Sequence, residues 1–480
     1  MAALDHIAGG PPTAAPVTAG QAPAAPPRAA MAARTRRLLE APILPTLLRL
    51  AAPNVLVMLM QASVGLIETY FVGRLGTAAL AGVALVFPAV MLMQMMSAGA
   101  MGGGIASAIA RALGAGRRAD ADALAIHALV IAAILGGAFT VAVIGFGPWL
   151  YRAMGGDGAT LDAALTYSNV VFAGALLLWL MNTLASILRG TGNMLLPAAV
   201  ICVGAVLLIP LSPALIFGWG PFPALGVAGG GVAVLVYYAA GSAVLAACLR
   251  ARNGVIRLSL AGVTLRWALL ADILRVGAVA SLITVQTNLT VAVLTGLVGS
   301  FGSAAIAGYG IGSRLEYLLV PLVFGLGAPL VAMVGTNIGA GQHARALRIA
   351  WLGGAIACAA TEAIGVAAAL APTAWITLFS ADPDVIAAGT LYLRVAGPFY
   401  GFFGLGMALY FASQGAGRLT WPFLANLTRL IVATAGGWLV FRWLDGGLSG
   451  LFAMLAAALV LFGAINCAAL AAGSWSRAPR

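Results

Sequence analysis

The sequence predicts an all-α polytopic membrane protein, with twelve transmembrane helices in two pseudo-symmetric six-helix lobes. Three observations carry this. Hydrophobic residues make up 62% of the 480 and charged residues 8%, with a mean hydropathy of +1.04. A soluble chain could not bury that much apolar surface, so lipid solvates most of it. Twelve apolar stretches are long enough to cross a hydrocarbon core of ~30 Å. Finally, the halves repeat each other about 225 residues apart. Gly114-Ala115-Gly116 recurs as Gly339-Ala340-Gly341, Gly73-Arg74-Leu75-Gly76 as Gly299-Ser300-Phe301-Gly302, and Arg189-Gly190-Thr191-Gly192-Asn193 with Pro197 as Gln414-Gly415-Ala416-Gly417-Arg418 with Pro422. Duplicated bundles are a common way to build a transporter, with the substrate path between the halves.

The spans fall at roughly 47–73, 79–110, 122–150, 158–188, 194–219 and 226–250, then 268–298, 303–337, 345–371, 384–413, 420–443 and 448–472. Six spans return the chain to its starting side, so the repeats are parallel. Residues 1–40, rich in Pro and Ala, are expected to be a disordered cytoplasmic tail. Residues 41–250 form the first lobe, 251–267 a cytoplasmic linker, 268–472 the second lobe and 473–480 a tail. No apolar h-region precedes Arg34, Arg36 and Arg37, so the tail is not read as a signal peptide.

All 25 basic residues are arginines, and the net charge is +12. They cluster in the loops at 111–118, 189, 250–266, 345–348 and 418 and in both tails. The opposite loops hold Arg74, Arg152 and Arg442, diluted by Asp157, Asp162, Asp382, Asp384 and Asp445. This asymmetry puts both termini in the cytoplasm. It also explains the charge without nucleic acid. Cys202, Cys248, Cys358 and Cys467 lie singly in apolar spans, and His6, His127 and His343 are too scattered for a metal site. The Gly-x-Gly turns after spans 2, 4, 8 and 10 follow no strand and carry no Walker lysine. They read as sharp helix ends.

Polar groups inside spans are costly and ask for a reason. Span 1 carries Asn54, Gln61 and Glu68 at seven-residue spacing, one face of a helix. Pro53 removes a backbone hydrogen bond, so span 1 is expected to hinge there. A carboxyl group in hydrocarbon favours its neutral form, whereas water or a cation favours the charged one. Glu68 is therefore expected to exchange a proton between conformations. Span 7 repeats the stripe as Ser281, Asn288 and Thr295, with Thr284 and Gln286 nearby and no acid, so the first lobe is expected to handle the ion. In span 8, Arg314 and Glu316 lie about 18 Å deep at 1.5 Å per residue. Arg394 and Glu362 are their candidate partners.

Span 2 is rich in methionine (Met91, Met93, Met95, Met96, Met101) around Gln94, which suits an adaptable cavity wall. Asn182, Gln286, Asn288, Glu316, Tyr400 and Phe403 complete the residues expected around the substrate. The span 10 aromatics are able to stack on a flat cation. Ser/His, paired-Asp and HExxH constellations are missing and no second carboxylate lies a turn from Glu68, so no enzyme is expected and no cofactor beyond the coupling ion.

On these residues the chain resembles the multidrug and toxic compound extrusion (MATE) family across 45–472. The resemblance rests on Ala52-Pro53, Ile67-Glu68-Thr69 with Gly73, the Gly-Ala-Gly loops, Leu188 to Asn193, Arg314-Leu315-Glu316 and the run Gly335 to Gly341. It implies two lobes around a central cavity, exporting amphipathic organic cations in exchange for H⁺ or Na⁺ from a bacterial inner membrane, as a monomer. The family's span 1 acid falls on Glu68. Its span 7 acid falls near Gln286 and Thr287 and its span 10 acid near Phe403, both without an acid here. The span 5 Asn-x-x-x-Asp-Pro pattern becomes Leu208-x-x-x-Ser212-Pro213. Glu68 and Ser212 make a poor cage for a hard cation that wants five or six oxygens, so H⁺ is favoured. A lipid-linked saccharide flippase is the alternative; it would need arginines inside the cavity, for which only Arg314 and Arg394 are available.

Overall fold

A computed structural model describes residues 33–251, 255, 256, 258, 264–443 and 446–475. The first lobe comprises α1 (Ala33–Glu40), α2 (Ile43–Gly73), α3 (Thr77–Gln94), α4 (Gly102–Gly114), α5 (Arg118–Ala153), α6 (Gly158–Ala173), α7 (Ala175–Gly190), α8 (Leu195–Phe217) and α9 (Val227–Arg250). The second comprises α10 (Trp267–Gly299), α11 (Ser303–Ser313), α12 (Glu316–Gly339), α13 (His343–Leu370), α14 (Pro372–Ile376), α15 (Pro383–Ala396), α16 (Tyr400–Ala416), α17 (Thr420–Ile431), α18 (Gly437–Trp443) and α19 (Gly447–Ala471). Among the described residues eleven stretches are long and apolar enough to span a membrane, and the pair α6–α7, bent by 48° at Gly174, makes a twelfth when taken as one span. The protein is thus an all-helical multi-pass membrane protein. Within hydrocarbon only helices satisfy the backbone from inside a single segment, which is why so apolar a chain folds this way.

The breaks match between the lobes at one place and differ at another. A π-helical turn, Met95–Met101, joins α3 to α4, whereas the turn at Arg314–Leu315 that joins α11 to α12 falls several residues earlier in the repeat. The bend at Gly174 matches the short 3₁₀ turn Gly397–Phe399 before α16. The Gly-x-Gly turns end their helices as expected. Gly116, Gly192, Gly341 and Gly417 adopt φ of 75°, 78°, 74° and 72°. The next residue's N–H returns to a carbonyl five residues back, as in Gln342 N–H to Asn337 O at 2.8 Å. By contrast, α2 runs unbroken through Pro53.

One expectation is corrected at the N-terminus. Residues 33–40, placed by sequence in the unstructured tail, form α1, with Thr35, Leu38 and Leu39 buried. Two apolar side chains and a run of strong helix formers give this segment a face to dock. Asn337 donates to the Leu38 carbonyl at 3.2 Å, and Arg345 donates to the Ala41 carbonyl. The remainder of the predicted tail, much of the linker and the residues past 475 lie outside the described residues.

The lobes meet where α2, α4 and the Met95–Met101 turn of the first pack against α10, α12 and α16 of the second. These contacts lie in the half of the molecule that carries both ends of the described chain. Towards the opposite face, α3, α6, α8 and α9 pack within the first lobe, and α11, α15, α17 and α18 within the second. The molecule is therefore closed at the terminus-bearing face and parted at the other. At the closed end, backbones touch through glycine. A Cβ on Gly339 would run into the Arg111 carbonyl, and one on Gly114 into that of Thr336. Close approach of small residues is the usual glue between helices in lipid, where hydrophobicity supplies no drive.

Gly339→Ala should therefore cost about 1–3 kcal/mol of overpacking at this seam. Faster amide exchange in segments 107–114 and 331–339 than in the rest of the lobes would report it; unchanged exchange would contradict the close approach.

Candidate functional site

Glu68 projects from α2 into the first lobe. Its Oε1 is out of contact with solvent and has no hydrogen-bond partner, and the same holds for Oγ of Ser212 on α8, a residue that is 3% exposed. Both side chains line one gap of ≈ 10 Å³ with Ile67, Phe71, Leu208 and Ile209, about the space of one water. Gly230 on α9 borders it without a side chain, leaving Oε1 unhindered. The Tyr167 and Tyr238 phenols, on α6 and α9, lie within electrostatic range. A carboxylate in such a place without a counter-charge costs several kcal/mol, which a proton or a bound cation removes. Among the described residues no three His, Cys, Asp or Glu side chains gather as metal ligands.

The rest of the span 1 stripe does not converge here. Asn54 sits ~21 Å along the helix from Glu68, and Gln61 half that distance. Asn54 is buried and donates to the Leu50 carbonyl at 3.1 Å. The residues expected around the substrate fall into three separate groups. Asn182 donates to Ser97 at 2.8 Å and to Gln94 at 3.4 Å beside the π turn. Gln286 accepts from Asn426 of α17 at 3.1 Å. Asn288 is exposed and spends its amide on the Thr284 carbonyl.

The third group is inside the second lobe. The Tyr392 hydroxyl donates to Glu316 at 2.6 Å and meets the Tyr400 hydroxyl at 3.0 Å. Tyr400 is 1% exposed, part of the lobe's interior. The partners proposed for Arg314 and Glu316 are corrected. Arg394 is exposed, and Glu362 accepts instead from the Gly401 N–H at 2.6 Å. The charge facing Glu316 is Arg429 of α17, buried with its guanidinium 5.5 Å from the Phe403 ring and 5.6 Å from Phe462. Arg314, two residues away on the other side of the α11–α12 turn, is exposed and lies over Phe379 at 5.9 Å. Arg429 escaped the sequence reading although it is a charge inside a span, the same signal that singled out Glu68.

The closed face carries a latch that the sequence did not reveal. Arg111 of α4 pairs with Asp272 of α10 at 2.7 Å and donates to Ser107 and to the Gly415 carbonyl at the end of α16. Ser107 in turn donates to the Gln414 carbonyl at 2.5 Å, and the Gln414 amide reaches the Gly99 and Ala100 carbonyls at 3.3 Å. First-lobe donors thus close onto the C-terminal end of a second-lobe helix, where the dipole favours a cation.

A two-lobed helical bundle with a buried acid in one lobe and a closed seam at one face is the build of an alternating-access transporter. The MatE family model matches residues 53–214 and 280–439, one segment in each lobe, and the chain belongs to this family of transporters, which are not enzymes. It is 30% identical over 440 residues to a probable multidrug resistance protein NorM of Deinococcus radiodurans, covering 87% of this chain and 92% of that one. It is 28% identical over 398 residues to a FAD transporter of Shewanella oneidensis, covering 82% and 87%. Among solved structures, a MATE in the bent conformation superposes with TM-score 0.84 at 23% identity over 93% of this chain and 100% of that one. An outward-facing multidrug resistance MATE transporter of the MOP superfamily gives 0.80 at 24% over 92% and 99%. These structures share the fold.

Removing the Arg111 side chain should weaken the closed face by about 1–3 kcal/mol, the range for a charge-assisted hydrogen bond. Cross-linking of cysteines placed on α4 and α12 at that face should drop in Arg111→Ala and be largely kept in Arg111→Lys, which retains the charge beside Asp272 and the Gly415 carbonyl. No change in cross-linking would remove the latch.

Proposed function

We propose that the chain is a secondary antiporter of a bacterial inner membrane that exports amphipathic, cationic organic compounds in exchange for protons. Both termini face the cytoplasm, following the arginine asymmetry. The terminus-bearing face is then the cytoplasmic gate, and the arrangement described above is outward-facing. The observation that carries the reading is the pair of unpartnered buried oxygens of Glu68 and Ser212. Glu68 is the only acid among the residues lining that gap, and one carboxyl group is enough for a proton. The two oxygens fall well short of the five or six that a hard cation wants.

In this cycle Glu68 binds a proton from outside in the parted state as substrate leaves. The outer half then closes, the Arg111–Asp272 latch opens, and the proton is released inside while new substrate enters between the lobes. A monovalent cation leaving in exchange for one proton moves no net charge, so the pH gradient drives the exchange, at ~1.4 kcal/mol or roughly tenfold accumulation per pH unit. Gln94, Asn182 and Gln286 contribute the polar groups of the lobe walls, whereas Glu316 is held within the second lobe by Tyr392. The homologues named as multidrug resistance and export proteins support the substrate class at about a quarter to a third identity.

A second reading follows from the relative named a FAD transporter. An anionic, flat substrate would be favoured by Arg429 held between Phe403 and Phe462 in the second lobe. Parallel assays with an organic cation dye and with FAD separate the two.

Glu68→Gln should abolish substrate accumulation against a gradient while folding normally. Export at the wild-type rate would overturn the coupling role. In proteoliposomes, a pH gradient without Na⁺ should drive wild-type exchange, and a Na⁺ gradient at equal pH should not; the reverse result would make Na⁺ the coupling ion.

A further inference from the structure

A cavity on the terminus-bearing face lies apart from the Glu68 gap. It has a volume of ≈ 610 Å³, within the range of small-molecule sites. Its walls come from α1, the α7–α8 turn, the end of α9 and Val255–Ile256. Leu188, Leu196, Leu249 and Ile256 make an apolar floor, and Arg34 and Arg37 stand at the rim beside Thr191 and Asn193. No acidic residue lines it, and among the described residues neither arginine is in an ion pair. It opens at the end of α7, the start of α8 and the end of α9, where these apolar helices terminate. Leu195, adjoining the floor, is 68% exposed, and Trp267 at the start of α10 is 73% exposed, the amphipathic anchoring expected where a bundle meets the interface.

We propose that this pocket binds the phosphate headgroup of an anionic phospholipid, with Arg34 and Arg37 on the phosphate and the upper acyl carbons over the leucine floor. Two cations above an apolar surface at the interface match that amphiphile better than a fully soluble anion, which would gain nothing from the floor. The site has a mechanical consequence. The α1 wall is hydrogen-bonded to the second lobe through Asn337 and Arg345, whereas α7, α8 and α9 belong to the first. A lipid bridging the walls ties the lobes together at the face that must part during transport. Anionic lipid therefore stabilises the state closed on this side.

The test uses the full chain in nanodiscs of phosphatidylcholine alone or mixed with phosphatidylglycerol. Native mass spectrometry of the protein released from the mixture should show retained phosphatidylglycerol, and amide exchange in segments 33–41 and 188–196 should slow relative to phosphatidylcholine alone. In Arg34→Gln/Arg37→Gln, exposed positions whose loss should leave folding intact, the preference should fall roughly thirtyfold. Arg34→Lys/Arg37→Lys, which keeps the charge, should retain most of it. Equal retention of both lipids by the wild type, or undiminished preference in the glutamine variant, would overturn the site. Equal slowing by inorganic phosphate in phosphatidylcholine discs would overturn the lipid assignment.

Discussion

In hydrocarbon a polar atom without a partner has no water to turn to, and the rest of this structure follows from that constraint. The backbone answers it by becoming helix. Side chains answer it locally: on α10, Ser281, Thr284, Thr287, Asn288, Thr290 and Thr295 each donate to the carbonyl one turn back. Against that background Glu68 and Ser212 supply two of the ten buried side-chain atoms without a partner among the described residues, and these two face the same small gap. A group left short of partners is a group that something else must satisfy, and a proton is the smallest candidate.

The duplication kept the backbone and let the chemistry diverge. The left-handed glycines of the Gly-x-Gly turns match between lobes, as does the break at Gly174 with that at Gly397–Phe399. Polar content does not. The first lobe has an acid with no fixed counter-charge, whereas the second has Glu316 held by Tyr392 and faced by Arg429. The Glu316–Tyr392–Tyr400 hydrogen bonds tie α12, α15 and α16 together inside the lobe, which favours rigid-body movement between lobes.

That motion must cross a seam that is tight yet weakly held. Glycine contacts between α4 and α12 give shape complementarity without large apolar knobs. The Arg111–Asp272 ion pair across it has Asp272 44% exposed, so screening keeps its contribution small. A second pair, Arg266 with Asp120 at 2.8 Å, joins the start of α10 to α5 and is also partly exposed.

The membrane class, the duplication and the helix ends were legible in the sequence because each depends on local composition or on a glycine that a turn requires. Glu68 was legible for a related reason: a charge in an apolar span is visible without knowing its neighbours. Arg429 carried the same signal and belonged beside it. What could not be read were relations between distant segments. Seven-residue spacing put Asn54, Gln61 and Glu68 on one face, yet helix rise spreads them over ~21 Å, so they share a stripe and not a site. Glu316 found Tyr392 and Arg429 instead of Arg394, and Arg314 lies over Phe379 instead of meeting Glu362, because the turn at Arg314–Leu315 sets which way each side chain points. The docking of α1 and the Arg111 latch depend on two lobes meeting. Sequence determined what each segment is, through partitioning and local backbone preference; only tertiary structure decided which polar atoms meet, since that is fixed by helix rotation and crossing.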